Sequence, residues 1–236
     1  MTDTPVLSLP LLAPAQSQKH VTVNEALSRL DAMTQLDLVS ISRTAPPPVV
    51  EDGDVYHVAA SASDGWSGQD GQLAVALNGG WVFVPPRRGW RAFVKDLSQT
   101  AIFDGQNWRI GAATLSPFGA GIAMQSVEVD VDLVPGTTVL SPDIFPSRSI
   151  MLGVTGRVVE ALTGTLAAWD LGLPAEPGRY GTGLGTAVNS WVNGPGNPEV
   201  SWSATPLQLT ATGGDFAGGR VRLAAHFLEL SLPDAI

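Results

Sequence analysis

Glycine and proline cut this 236-residue sequence into short apolar runs, and that punctuation limits its fold more than any other feature. The chain carries 26 Gly and 18 Pro, about a fifth of its residues. Short runs of Val, Ile, Leu, Phe and Trp, bounded by Gly, Pro, Asn and Asp, predict strands joined by tight turns. The expected fold class is therefore mainly β. At this length one or two domains can bury a core without disulfides or metals.

The exception lies at the N-terminus. Thr22-Val-Asn-Glu25 has the spacing of a capping box, in which the Thr hydroxyl and the Glu carboxylate satisfy each other's backbone N–H. Ala26, Leu27, Leu30, Met33 and Thr34 follow at spacings of three and four, with Val23 on the same stripe. They predict an amphipathic helix over 23–36. The stripe covers the first sheet or forms an oligomer core, and its two heptads do not by themselves establish a coiled coil. Pro46-Pro-Pro48 forces an extended connector. Residues 11–20, with Pro5, Pro10 and Pro14 in and before them, predict a stiff extended arm.

Residues 49–111 read as a small β-meander. Leu73–Leu77 and Trp81–Val84 flank Asn78-Gly79-Gly80, strong hairpin chemistry because Asn-Gly readily takes positive φ. Thr100–Phe103 and Trp108–Ile110 flank Asp104-Gly105 in the same way, giving a weak repeat of about 25–30 residues. Trp81, Trp90 and Trp108 then hold related positions and read as core.

Residues 112–236 read as an antiparallel β-sandwich or jelly roll. Val127–Leu133 alternates strictly, and runs at 149–155, 156–159, 200–204, 207–212 and 220–230 supply further strands. A Gly-rich stretch from Leu171 to Asn197 reads as loops. The expected organisation is thus arm and helix (1–48), meander (49–111) and sandwich (112–236).

Composition removes several function classes. Asp and Glu number 22 against 13 Lys and Arg, a formal charge of -9, which repels nucleic acid and anionic membranes. With no Cys, thiolate chemistry and Cys-ligated metals are excluded, and three scattered His give little basis for a metal site. No apolar run reaches the ~20 residues of a membrane span, and the N-terminus lacks the basic region of a signal peptide. Synthesis in the cytoplasm is expected, without cofactor or metal.

Catalytic signatures are missing too. There is no Gly-x-Ser-x-Gly elbow, and His20, His57 and His226 give no Ser–His–Asp spacing. The two His in strands, 57 and 226, read as packed or hydrogen-bonded residues. Glu128, Asp130 and Asp132 share one strand face; they read as a solvated face, or alternatively as a glycosidase-type carboxylate pair. Trp169, Trp191 and Trp202 lie near the Gly-rich stretch. Sugars stack on such rings, and Asp170, Arg179, Tyr180, Asn189 and Asn193 are near in sequence to supply polar contacts. The plainer reading puts the tryptophans in the core.

The run Ala15-Gln-Ser-Gln-Lys-His-Val-Thr-Val-Asn-Glu-Ala-Leu27 resembles the opening signature of a phage-derived family of unknown function. Gly80-Trp-Val-Phe83, Gly89-Trp-Arg-Ala92 and Phe103-Asp-Gly-Gln-Asn-Trp108 match its pattern, and Thr205–Ala211 and Gly218–Phe227 are similar to the tail of many members. Members occur in prophages and gene transfer agents. The resemblance implies a component of a phage-like particle, a head spike or fibre that touches capsular polysaccharide, with no catalytic residues to carry over.

The expectation is a non-enzymatic attachment module that is part of the particle. Leu11, Leu12, Gln16, Gln18, Lys19, Val23, Leu27 and Leu30 are candidates for docking to other particle proteins or for a homo-oligomer. Trp169, Asp170, Arg179, Tyr180, Asn189, Trp191 and Asn193 are candidates for carbohydrate. On this expectation, deleting residues 1–20 leaves the β domains folded. The alternatives are a glycan-cleaving spike using Glu128, Asp130 or Asp170, and an architectural base with no glycan contact.

Overall fold

A computed structural model describes residues 3–12 and 19–233 of the chain. They belong to two compact units, Met1–Leu115 and Ser116–Ile236. The fold is mainly β, as the turn chemistry predicts, with one α-helix near the N-terminus.

That helix, α1 (Lys19–Met33), begins a turn earlier than the capping-box reading places it. Thr22 lies inside it rather than at its cap, and Glu25 bonds Arg29 one turn on, at 2.7 Å. The apolar stripe is split between the two expectations: Met33 packs against the first sheet's core and Leu27 is half-buried, while the rest of the stripe faces outward. Asp31 and Ala32 are buried, whereas Val21, Val23 and Leu30 are 57%, 40% and 57% exposed. Polar anchors set this rotation. The Asn24 side chain accepts from the N–H of Leu12 (2.9 Å) and donates to its carbonyl (3.1 Å). The Asp31 carboxylate takes the Thr4 hydroxyl and the N–H groups of Val6 and Leu7.

Of the arm expected over residues 11–20, residues 13–18 lie outside the described residues and 19–20 open α1; the segment before the arm is folded. Asp3 and Pro10 form an isolated β-bridge, so residues 3–10 fold back on themselves rather than extend. Leu11 is half-buried and Leu12 half-exposed beside α1. Gln16 and Gln18 lie outside the described residues, as does the side chain of Lys19.

The first unit's sheet is more than a meander. Its strands are β1 (Asp37–Ser40), β2 (Val55–His57), β3 (Leu73–Leu77), β4 (Gly80–Val84), β5 (Arg91–Val94), β6 (Gln99–Phe103) and β7 (Trp108–Ile110), in the order β4-β3-β2-β1-β5-β6-β7. The central β1 runs parallel to both β2 and β5. On either side of it the repeat appears as two antiparallel meanders, β2–β3–β4 and β5–β6–β7. β1 has only four residues between helix and proline run, too few to stand out in the sequence. Asn78 and Gly79 both take positive φ (51° and 73°), as the two-residue hairpin demands.

One cluster of this unit joins Leu38, Val55, Leu73, Val75, Val94, Phe103 and Trp108 to Ala32 and Leu36. The alternate residues Tyr56 and Ala74 belong to a second cluster with Val58 and Trp66, against which Trp81 packs. A short strand β8 (Ala112–Leu115) ends the unit.

The second unit is the expected sandwich. Its strands are β9 (Gly121–Asp132), β10 (Thr138–Phe145), β11 (Ser149–Gly164), β12 (Ala168–Leu173), β13 (Glu176–Leu184), β14 (Trp191–Ser201), β15 (Thr205–Thr212) and β16 (Phe216–Ser231). The smaller sheet has the order β10-β15-β12-β13. In the larger sheet the long strands follow as β14-β11-β16-β9. Every pairing among these strands is antiparallel. Val154, Val158, Val221 and Leu223 of the larger sheet share one core with Trp169, Leu171, Leu207 and Leu209 of the smaller. The Gly-rich stretch is not a set of loops: β12, β13 and the start of β14 run through it.

Candidate functional site

The seven residues singled out for carbohydrate fall into different places. Trp169 is 2% exposed in the sandwich core, and its indole N–H donates to the Gly185 carbonyl at 2.9 Å. Tyr180 is also buried, its ring centroid 6.4 Å from that of Phe145, and burial raises its phenol pKa above the ordinary value. Both are therefore packing residues, with no face free for a ligand. Asp170 accepts the N–H of Gly183 at 2.8 Å and so fixes the β12–β13 pair. Asn189 sits in the turn before β14 with φ 70°.

Arg179 occupies the edge of the sandwich between β13 and β14. It donates to Glu199 (2.6 Å), Glu176 (3.2 Å) and the Asn197 carbonyl (3.0 Å). Its guanidinium carbon lies 5.7 Å from the Tyr180 ring centroid, a cation–π distance. A cleft of about 690 Å³ opens here, lined by Glu176, Arg179, Pro195, Gly196, Asn197 and Glu199. The guanidinium is spent on the two carboxylates, so this group acts first as a staple between the two edge strands.

Trp191 and Asn193 remain, and the sheet brings them together. Side chains alternate along a strand. Val192, between them, is 5% exposed in the core, which turns its two neighbours outward, and the Trp191 indole is 67% exposed. Arg157 stands directly opposite Trp191 and Thr155 opposite Asn193. The rows continue across the sheet. Arg157 faces Arg222, which faces Asp130; Thr155 faces Ala224, which faces Glu128. A row of four strands spans roughly 14 Å at the usual strand spacing. This outer face thus carries one exposed aromatic, an amide, hydroxyls and paired charges on a rigid sheet.

The carboxylates of the face are largely committed. Asp130 accepts two bonds from Arg222 (2.7 and 2.8 Å), and that guanidinium holds its carboxyl below the usual range. Arg220 pairs with Asp132 and, at 3.1 Å, with Glu160. His226, in the next row, is also engaged at both ring nitrogens, with Ser126 and Thr155 hydroxyls each at 2.9 Å. Among the described residues no group of three His, Asp or Glu is placed to hold a metal ion, and no helix is long and apolar enough to cross a membrane.

Arg157, Thr155 and Arg222 escape the sequence reading. A usable signal exists: Arg220-Val-Arg222 alternates with the same period as Asp130-Val-Asp132. Two strands of opposite charge with that period are matched for cross-strand pairing.

Residues 23–109 match a family described as "Protein of unknown function (DUF2793)". The search of curated proteins finds no match. Among solved structures, a chain titled "Cyanophage Pam1 capsid asymmetric unit" is similar over 50% of this chain and 91% of that chain, at 21% identity and a TM-score of 0.32.

Proposed function

We propose that this protein is a non-enzymatic component of a phage-like particle, a head spike or fibre subunit of the gene-transfer-agent kind. Its second unit attaches to host capsular polysaccharide through the outer face around Trp191 and Asn193. Its first unit docks to other particle proteins and to further copies of the chain. The resemblance of the Ala15–Leu27 run and of the Trp-containing turns supports the particle assignment. The outward Val23 and Leu30 of α1 support a protein-facing role for the first unit, since apolar side chains on a stable helix favour a partner over water.

One observation carries the attachment reading. The Trp191 indole is two-thirds exposed on a strand whose next residue is anchored in the core. A flat apolar ring held in water on a stiff support suits stacking against a sugar ring, with little entropy lost on binding. The pairing of Asp130 with Arg222 favours binding over cleavage, because a carboxylate held ionised is a poor proton donor.

The test uses the purified full-length chain and capsular polysaccharide. Binding should quench tryptophan fluorescence and fall about tenfold or more in Trp191→Ala, with no release of reducing ends. Reducing ends that appear with wild type and vanish in Asp130→Asn would establish a depolymerase instead. Absence of any binding, even for an avid oligomer, would leave an architectural base.

A further inference from the structure

Resting on that attachment reading, we propose that the Trp191 face selects sugars bearing a carboxylate, of the uronic-acid class, and that Arg157 is the residue that reads the acid.

Three arginines project from this face, and their partners differ. Arg222 is held by Asp130 through two bonds, and Arg220 by Asp132 and Glu160. Arg157, exposed on β11, has no hydrogen-bond or ion-pair partner among the described residues. It stands directly across from Arg222 on one side and from Trp191 on the other. Two like charges opposite each other in a sheet are unfavourable. Asp130 offsets that repulsion from the Arg222 side only. An anion over Arg157 would offset it from the other.

The neighbours define which anion fits. A planar guanidinium takes a carboxylate through two parallel N–H donors. The adjacent indole offers a ring-sized apolar platform. Asn193 and Thr155, one row along, supply an amide and a hydroxyl that can meet ring hydroxyls. Thr155 is bonded to His226 and so is held in place. Ala224, facing Thr155, keeps the floor of that row low. A carboxylate on a ring that stacks and carries hydroxyls is a uronate. A peptide carboxylate or free phosphate would use Arg157 and leave the indole unused.

The experiment compares uronate oligosaccharides (galacturonate, glucuronate and mannuronate series) with the same oligosaccharides after reduction of the carboxyl to the alcohol. Calorimetry on the full chain is expected to give about tenfold weaker binding for the reduced form of whichever series binds. Arg157→Gln should erase that preference while still binding the reduced form, and Arg157→Lys should keep part of it. Arg157 is exposed, and unchanged thermal melting of the variants establishes that they fold. Equal binding of acid and reduced forms, a preference that survives in Arg157→Gln, or binding of neutral glycans with no uronate bound overturns this inference and leaves attachment intact. Failure to bind any glycan overturns attachment and this inference with it.

Discussion

The hydroxyl of Thr4 donates to the carboxylate of Asp31 across 2.7 Å, and neither residue is accessible to water to any extent that matters. The same carboxylate takes the N–H groups of Val6 (2.9 Å) and Leu7 (2.7 Å), while the Thr4 oxygen accepts the N–H of Leu9. A buried acid with three donors is well satisfied; one stripped of donors is costly. The N-terminal residues are thus part of the first unit's fold and not a detachable arm. Asp31→Ala should destabilise the first unit by about 3 kcal/mol, and Thr4→Val by about 2 kcal/mol. Deleting residues 1–10 should do at least as much, and so should the deletion of residues 1–20 that the sequence alone expects the β domains to survive. Chemical denaturation of each variant, followed by tryptophan fluorescence, measures these losses.

The outward stripe of α1 has the opposite signature. Val23 and Leu30 are 40% and 57% exposed, so Val23→Ser with Leu30→Ser should change stability by less than about 1 kcal/mol. If these side chains serve assembly, the same double variant should lose self-association or particle incorporation. Sedimentation of the purified chain and co-purification with particles give the two readings. A variant that assembles like wild type would remove the stripe from the docking surface.

Much of the fold was legible because turns leave strong chemical traces. Asn78-Gly79 and Asp104-Gly105 demanded hairpins, and alternation at Val127–Leu133 placed a strand with one wet face. The central β1 was not legible, since four residues carry no period and its parallel pairing depends on partners far along the chain. The helix was found, but its rotation was not. Hydrophobic periodicity identifies a stripe and cannot tell whether a core or a partner covers it; here Asn24 and Asp31 decided the matter through bonds to Leu12 and Thr4. At the candidate site, sequence proximity in a Gly-rich stretch points to Trp191 and Asn193, and only the strand β14 shows that they share a face. Trp169 and Tyr180 were near them in sequence yet point into the core. Arg157 was missed because only the register of β11 against β14 brings it to Trp191.

His57 makes the first unit sensitive to acid. It is 9% exposed, its ring centroid 6.4 Å from that of Phe103 and 6.5 Å from that of Trp108. Burial pushes its pKa below the ordinary 6.5, because the apolar surroundings disfavour the imidazolium. The unfolded chain binds the proton at the ordinary value. Stability is therefore whole above about pH 6.5 and falls as the pH drops from there toward the depressed folded value. Melting temperatures at pH 7.5, 6.0 and 5.0 should fall in that order. His57→Gln should start lower and show a flatter profile over the same range.

Two glycines of the second unit, Gly194 and Gly156, offer the last test, because each sits where a neighbouring strand leaves no room for a Cβ. A Cβ at Gly194 would fall on the backbone carbonyl of Tyr180, where β14 lies against β13. Backbone cannot give way as a side-chain tip can, so Gly194→Ala must separate the two edge strands. Gly156 is milder: its Cβ would come within 2.6 Å of a Leu223 methyl, which can rotate, and 3.0 Å of the Arg222 carbonyl. Overpacking of this kind costs about 1–3 kcal/mol. Gly194→Ala should sit at or above the top of that range and Gly156→Ala near its middle. Opening the edge should also loosen Arg179 from Glu199, so hydrogen exchange in Gly194→Ala should rise along β13 and β14 first. Equal stability of both variants with wild type would mean that the edge strands close less tightly than their backbones indicate.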